Sequence, residues 1–462
     1  MLLCARVELS GQTYSSASLQ GYVTSGDGTG IPGAHIELVH VPTGSVYRGA
    51  TRSNGHYVVS GLRPGGPYAL SISHIGFAPQ KRTGLFLRSY ESVRADVRLV
   101  EVSLQAAEVV VTGREQGDAL QKMSSGASLR VDKEHMDMLP HALGTLEDAQ
   151  RLSPYMVGHS ALGLNRLYND VSMDGIGIGD QFGLQHAETL PGGMQASPVS
   201  MESLQEVRVD LSPFDVQRSG FTGASIAATT RGGTNIFSGS VYGSGAGGWL
   251  VGRNPDDRRS DLRGFLDQRA GFSIGGPIMA SKAFYFLSAE LSQVRLPIER
   301  NFGARTTGGT QYSISPAAID QFLAALDTMH GYDPGRMDIV SLQRRSANVF
   351  ARFDLNMTRR QRFSVRYNLQ ANWSDRPPYE TSIFAEGTLA RNIHVVHSVV
   401  GSLNSIVGSS LTNELLIGFT RSKFSASPVG TPFPFVDVIE TDQQRWWNHL
   451  TAGSEIGGSG NS

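Results

Sequence analysis

Three spacings of apolar and polar positions follow one another along the 462 residues of the chain. Between Leu19 and Val100 short β-like runs alternate with turn clusters at intervals of roughly 8–12 residues, without helical period. The runs are Leu19–Ser25, Ala34–Val41, Ser45–Thr51, His56–Leu62, Tyr68–Ile75 and Val93–Val100. Gly26-Asp27-Gly28, Pro32-Gly33, Asn54-Gly55 and Pro64-Gly65-Gly66-Pro67 separate them. Such clusters close hairpins, because glycine and asparagine accept positive φ and proline presets its own. A small β-sandwich is expected over residues 18–101, and a linker over 102–123. From 124 to 235 a modest helical stretch around Gly144–Leu152 mixes with short strands and many glycines, which predicts a compact α+β unit.

Beyond Asn235 the period falls to two. Ala347, Val349, Ala351, Phe353, Leu355 and Met357 share one face, and Asn348, Arg352, Asp354 and Asn356 the other, with Phe350. Phe363, Val365, Tyr367, Leu369, Ala371 and Trp373 likewise oppose Arg362, Ser364, Arg366, Asn368, Gln370 and Asn372. Strands are expected near Phe237–Gly248, Gly264–Gly276, Ala283–Val294, Ala347–Met357, Arg362–Trp373, His397–Val407 and Asn413–Phe424, close to the roughly 9–11 residues of a tilted membrane strand. Alternation alone also suits a half-buried soluble sheet. The connections separate the two readings: they alternate long and short, and the longest, 296–346, takes about fifty residues, which is the habit of outer-membrane barrels. The fold class expected is mainly β: an N-terminal sandwich, an α+β unit, then an incomplete antiparallel transmembrane β-barrel of about seven strands over 236–462. An open sheet in hydrocarbon leaves edge N–H and C=O groups unpaired at several kcal/mol each, so a fragment of a longer barrel is expected.

Composition narrows the classes. Glycine takes 54 positions, against a usual share of ~7%, and without a period of three, which favours turns and kinked strands over collagen. Forty basic against 41 acidic residues give a net charge of -1, so no field exists to attract nucleic acid. Cys4 is the one cysteine and supports neither a disulfide framework nor a cysteine metal site. No apolar run approaches the ~18 residues of a membrane helix, and the mean hydropathy of -0.17 is compatible with barrel strands. Met1–Arg6 lacks the basic and apolar regions of a whole signal peptide, and lipidation of Cys4 would need the same segment. Residues 1–17 are treated as an N-terminal remnant.

The order "GYVTSGDGTGIPGAHIELVHVPTG … TRSNGHYVVSGLRPGGPYALSISHIGFAP" resembles the carboxypeptidase regulatory-like domain, a transthyretin-like or carbohydrate-binding-like sandwich. "AAEVVVTGRE", Ala106 to Glu115, is a short β-branched run suited to adding as a strand. Within it Glu108, Val109, Val110, Val111, Thr112 and Gly113 resemble the TonB box of TonB-dependent outer-membrane receptors; the other reading is a first strand of the α+β unit. "YNDVSMDGIGIGD" (Tyr168–Asp180) and "MESLQEVRVDLSPFDVQRSGFTGASIAATTRGGTN" (Met201–Asn235) resemble the plug of those receptors. The plug motif falls on Asp174, Gly175, Arg208, Thr230, Arg231, Gly232 and Gly233. The step at Arg208–Pro213 departs from the siderophore-type form and resembles the Oar-like branch, and the Arg-Gly repeat of the glycan-importing branch is absent. The resemblance implies about twenty-two strands in a closed barrel, TonB and its inner-membrane energising complex as partner, outer-membrane lipid around the barrel, and an unidentified ligand, carbohydrate or peptide. It places sandwich and plug on the periplasmic side of the outer membrane.

No Ser/His/Asp set, carboxylate pair or metal cluster converges in any segment, so neither enzyme nor cofactor is expected. His35, His40, His56 and His74 lack zinc-ligand spacing, and His135 and His141 flank Pro140 as in a surface turn. Gly220, Gly223, Gly232 and Gly233 suit positive-φ turns and close backbone approach. Two functions stand: energy-coupled transport across the outer membrane, or a non-transporting surface receptor or adhesin on the same barrel. Glu108–Gly113 together with a plug favours the first, since a passive barrel needs neither.

Overall fold

The computed structural model describes residues 16–102, 109–112, 121–122, 127–138, 146–157, 160–164, 168–178, 199–211, 222–250, 264–302, 310–312, 316–377, 383–407, 411–441, 447–453 and 459–461. Cys4, Glu108, Gly113, Pro140, His141 and Gly220 lie outside them.

The N-terminal sandwich closes two sheets over one core. In the first, Ser45–Ala50, His35–His40, Gly65–Ser73 and Gln80–Leu87 are neighbours in that order. In the second, His56–Leu62 pairs antiparallel with Ala17–Thr24, along which Ser92–Arg94 and Val97–Arg98 run parallel. The period of two sends Leu19, Val23, Ile36, Leu38, Tyr57, Val59, Leu70 and Ile72 inward, where all are buried. The predicted run Val93–Val100 is two strands. It breaks at Asp96, whose carboxylate takes the Tyr22 N–H at 2.9 Å in place of a ladder carbonyl. Gln80–Leu87 was not expected, because Lys81-Arg82-Thr83-Gly84 interrupts its alternation.

The middle unit is a five-stranded sheet ordered Ser128–Asp132, Leu204–Asp210, Ser225–Thr230, Asp170–Met173, Ile176–Gly177. Only Asp170–Met173 against Ser225–Thr230 is parallel among these pairings. Helix Leu146–Gln150 lies within the predicted helical stretch, and a second helix, Lys133–Met138, follows the first strand. Ser225–Thr230 is buried along its whole length, as a central strand covered on both faces must be.

Seven long strands form the wall: Ser238–Gly247, Leu266–Met279, Ala283–Phe302, Ile339–Asn356, Gln361–Arg376, Ala390–Val407 and Leu411–Pro428. Each pairs antiparallel with the next. Their inner face meets the middle unit, and Arg366, Asn368, Gln370 and Asn372 are buried there. Their outer face carries Val241 at 88%, Leu291 at 65% and Phe419 at 65% exposure, the apolar outer band expected of a transmembrane barrel wall. The strands exceed the expected lengths. Ala283–Phe302 pairs with Ile339–Asn356 as far out as Glu299 and Ile339, because ladder hydrogen bonds persist beyond hydrocarbon while the apolar alternation that reveals a strand does not. The longest connection is accordingly 303–338.

That connection contains an unexpected helix, Pro316–His330. Proline suits its first turn, where no N–H is needed. Ile319 packs with Met337, Ile383 and Leu450, and Tyr332 stacks on Phe433 at 4.0 Å, so the outer loops share a small core with the sheet Ile383–Phe384, Trp447–Ala452, Val436–Thr441.

The facing of the wall gives a test. Val349 points outward and the hydroxyl of Ser346 inward, onto Ser292 at 2.6 Å. Val349→Arg is expected to destabilise the membrane-inserted protein by about 2–4 kcal/mol, and Ser346→Arg by much less. Urea unfolding in lipid vesicles measures both, and equal losses would show the facing to be inverted.

Candidate functional site

The interior site begins at a chain reversal. Met173 is buried in the core of the middle unit, and Asp174 (φ 48) with Gly175 (φ 83) turns the chain from Asp170–Met173 into Ile176–Gly177. The Asp174 carboxylate accepts the Thr230 N–H at 2.9 Å and the Thr230 hydroxyl at 2.6 Å. It also stands 2.9 Å from Nε of Arg366 on the wall. Arg366 lies directly across the ladder from Arg352, and two like charges so placed repel. Arg352 is held through Nε and Nη2 by Asp354 at 3.0–3.1 Å and through Nη1 by the Thr230 hydroxyl at 2.9 Å. Asp354 takes a second cation at 3.0 Å, Arg63 from the sandwich.

Three units thus meet in one buried cluster. Gly232 is part of its closure, since a Cβ there would collide with the Arg63 guanidinium and the Asp354 carboxylate. At Gly233 it would strike the Tyr285 carbonyl, and at Gly223 the Asn169 side chain. None of the three has a positive φ, so close approach, and not turn geometry, requires glycine there.

A second polar seam joins the single turn Met201–Ser203 to the wall. The Ser203 hydroxyl meets that of Ser288 at 2.6 Å, and Ser200 and Tyr242 both donate to Glu290, at 3.1 and 2.5 Å. Arg231 binds Glu202 at 3.0 Å and lies over the Phe286 ring at 5.0 Å. Phe286 and Phe350 reach from the wall into the core of the middle unit.

The sandwich contacts both other units. Pro42 accepts the Asn235 N–H at 2.7 Å, the Ser45 hydroxyl donates to Asn356 at 3.1 Å, and Arg362 lies 3.7 Å over the Tyr47 ring. Glu91 pairs with Arg130 at 2.8 Å, and Ser89 meets Thr229 at 2.7 Å. Arg208 lies at this face and not in the wall cluster: it donates to Asp210 at 2.7 Å and to the Tyr90 carbonyl at 3.1 Å. Burial, then Arg130, lowers Arg208 to about 10. Burial raises Glu206 to about 6 against the pull of Arg130.

Of the predicted plug residues, Asp174, Gly175, Thr230 and Gly232 converge on the wall cluster, while Arg231 and Gly233 sit at its flanks. Val109–Thr112 is a strand, parallel to Gln80–Thr83 at the edge of the first sandwich sheet. His40 is a packing residue, its Nδ1 2.7 Å from the Thr43 hydroxyl, and burial and Arg63 lower it to about 3. His135 contacts Asp132 at 2.6 Å in a helix's first turn, not in the loop turn expected. Among the described residues no group of three His, Cys, Asp or Glu could hold a metal ion. Arg352, Asp354 and Arg366 carry one signal in the sequence, charged positions on the polar face of period-two strands, and Arg63, in the turn after His56–Leu62, carries none.

Residues 18–100 match the carboxypeptidase regulatory-like domain family. The chain is 26% identical over 274 residues to the TonB-dependent transporter Oar of Myxococcus xanthus, covering 55% of this chain and 24% of that protein. Among solved structures, the outer membrane transporter YddB of Escherichia coli superimposes with a TM-score of 0.48 at 11% identity, over 71% of this chain and 43% of its own. The ferric enterobactin receptor of Pseudomonas aeruginosa gives 0.43 at 10%, over 65% and 41%. The chain thus spans about a quarter of the length of Oar.

Glu206 supplies a pH test. A carboxyl held near 6 in the fold and near its ordinary value when unfolded stabilises fully below the unfolded value, and that contribution is lost as pH rises through about 6. At pH 7.5 the buried charge then costs on the order of 2 kcal/mol. Glu206→Gln is expected to raise the melting temperature at pH 7.5 and to leave it unchanged at pH 4. A gain of the same size at both would contradict the assignment.

Proposed function

We propose that this chain, a homologue of the TonB-dependent outer-membrane transporters with a carboxypeptidase regulatory-like domain at its N-terminus, is a receptor for energy-coupled uptake across the outer membrane. The middle unit is its plug, the seven long strands are barrel wall, and Glu108–Gly113 is the box that the energising partner TonB grips. The relatives are transporters, and the chain is a receptor rather than an enzyme. It sits in the outer membrane, with sandwich and plug on the periplasmic side and the helix Pro316–His330 on the outer side.

The observation that carries this reading is how the plug is seated. Much of its contact with the wall is ion pairs and hydroxyl hydrogen bonds, from Asp174, Thr230, Ser200 and Ser203. Groups of this kind exchange a protein partner for water at a net of only ~1 kcal/mol per neutral hydrogen bond and roughly 1.5–3 kcal/mol per bond to a charged group, whereas drawing a fully apolar seam into water costs ~25 cal/mol per Å² of exposed surface. A polar seat suits a body that leaves its place when pulled. The handle is Val109–Thr112, an edge strand with one side occupied by Gln80–Thr83. Among the described residues no strand pairs with its other side, and main-chain groups so placed are a template for strand addition. The ligand, carbohydrate or peptide, is met by the outer loops.

Val110→Pro removes a main-chain donor and fixes φ. The variant is expected to keep its fold and surface binding while losing accumulation inside cells and the crosslink from a cysteine at position 110 to the TonB C-terminal domain. Unchanged accumulation, with no crosslink, would favour a non-transporting receptor.

A further inference from the structure

The junction of sandwich, plug and wall encloses a cavity of about 150 Å³. Arg63, Arg352 and Arg366 all line it, together with Asp174 and Gly232. Within ion-pair distance the charges there do not balance. Asp354 serves Arg352 and Arg63 together, and Asp174 serves Arg366, so three guanidiniums share two carboxylates. Glu414, also on the lining, accepts the Ser16 hydroxyl at 3.3 Å and pairs with none of the three. His40, on the same lining, is held neutral.

The open donor falls on Arg366. Its side chain is 4% exposed and its Nη2 donates to the Met173 carbonyl at 2.7 Å. Its Nε is close to Asp174 without hydrogen-bond alignment, and its Nη1 finds no acceptor among the described residues. A buried guanidinium with an open donor, in a set of three cations that shares two paired carboxylates, is costly. Water would supply an acceptor and leave three guanidiniums on two paired carboxylates. An oxyanion supplies both acceptor and negative charge, and the planar fork of arginine matches its geometry.

We infer that this cavity is a binding site for one phosphate-sized oxyanion, held by Arg366 with Arg63 and Arg352 around it. The ligand bridges all three units, so its occupancy braces the seated plug. The assignment stands apart from the uptake reading, because a passive barrel with the same cavity would bind the same ion.

The test uses the purified full chain in detergent, inorganic phosphate as probe, and chloride at matched ionic strength as reference. Equilibrium dialysis is expected to give one phosphate per chain, and phosphate to raise the melting temperature above that in chloride. Arg366→Gln should abolish both effects. Arg366→Lys, which keeps the charge and loses the fork, should weaken binding by about tenfold. Glu414→Gln, which removes a repelling carboxylate from the lining, should tighten it, a change that general damage to the fold would not produce. No stoichiometric phosphate in the wild-type chain would mean a cavity of water only and overturn the assignment. Unaltered binding in Arg366→Gln, or weaker binding in Glu414→Gln, would overturn it too.

Discussion

Arg352 and Arg366 face each other across adjacent strands on the inner side of the wall, and the interior is arranged around that repulsion. Left alone, two buried guanidiniums side by side would disfavour the strand pairing that holds them. Asp354, two residues along the same strand, answers one of them. The other is answered from the middle unit, to which Asp174 belongs. Wall and middle unit are therefore electrostatically incomplete apart, and truncating either partner while the other stays buried typically costs about 3–5 kcal/mol. The bond is strong enough to choose one seated position and is made of groups that water can replace.

The sandwich enters the same network. Arg63 shares Asp354 with Arg352, and Gly232 leaves the space in which it does so. On the other side of the plug, Glu91 reaches Arg130, which stands opposite Arg208, so the pattern of two facing arginines and a carboxylate borrowed from a neighbouring unit occurs twice. A displacement of the sandwich changes the charge balance at both faces of the plug. The linker strand Val109–Thr112, lying along the sandwich edge, puts the proposed point of traction on the unit that makes both contacts.

What was legible in the sequence was local. Alternation marks a strand when one face is apolar and the other polar, so the sandwich runs and all seven wall strands could be read, with the inner and outer faces of the wall. Gln80–Leu87 escaped because charge and glycine break its period, and the outer ends of the wall strands because both their faces are polar. The helix Pro316–His330 carried a readable spacing at Ile319, Phe322, Leu323 and Leu326, yet lay in a connection otherwise read as loop. Asp174, Thr230 and Gly232 were marked by motif, but not their partners. Arg63, Asp174 and Arg352 are far apart in the chain, and nothing in the local pattern says that they share a cavity; only the packing of three units brings them together.

Asp174 is the residue on which two unrelated demands coincide. The reversal after Met173 places it at φ 48, a conformation that asparagine, aspartate and glycine tolerate best among the amino acids. The wall cluster requires a negative charge at the same position. Asparagine satisfies the backbone and loses the charge, glutamate keeps the charge and strains the backbone, and glycine relieves the backbone and removes the side chain. Substitutional freedom at this site is narrow for reasons visible in a single structure: every replacement for aspartate either leaves Arg366 without its carboxylate or strains the reversal, so a change here is least costly when the arginine changes with it.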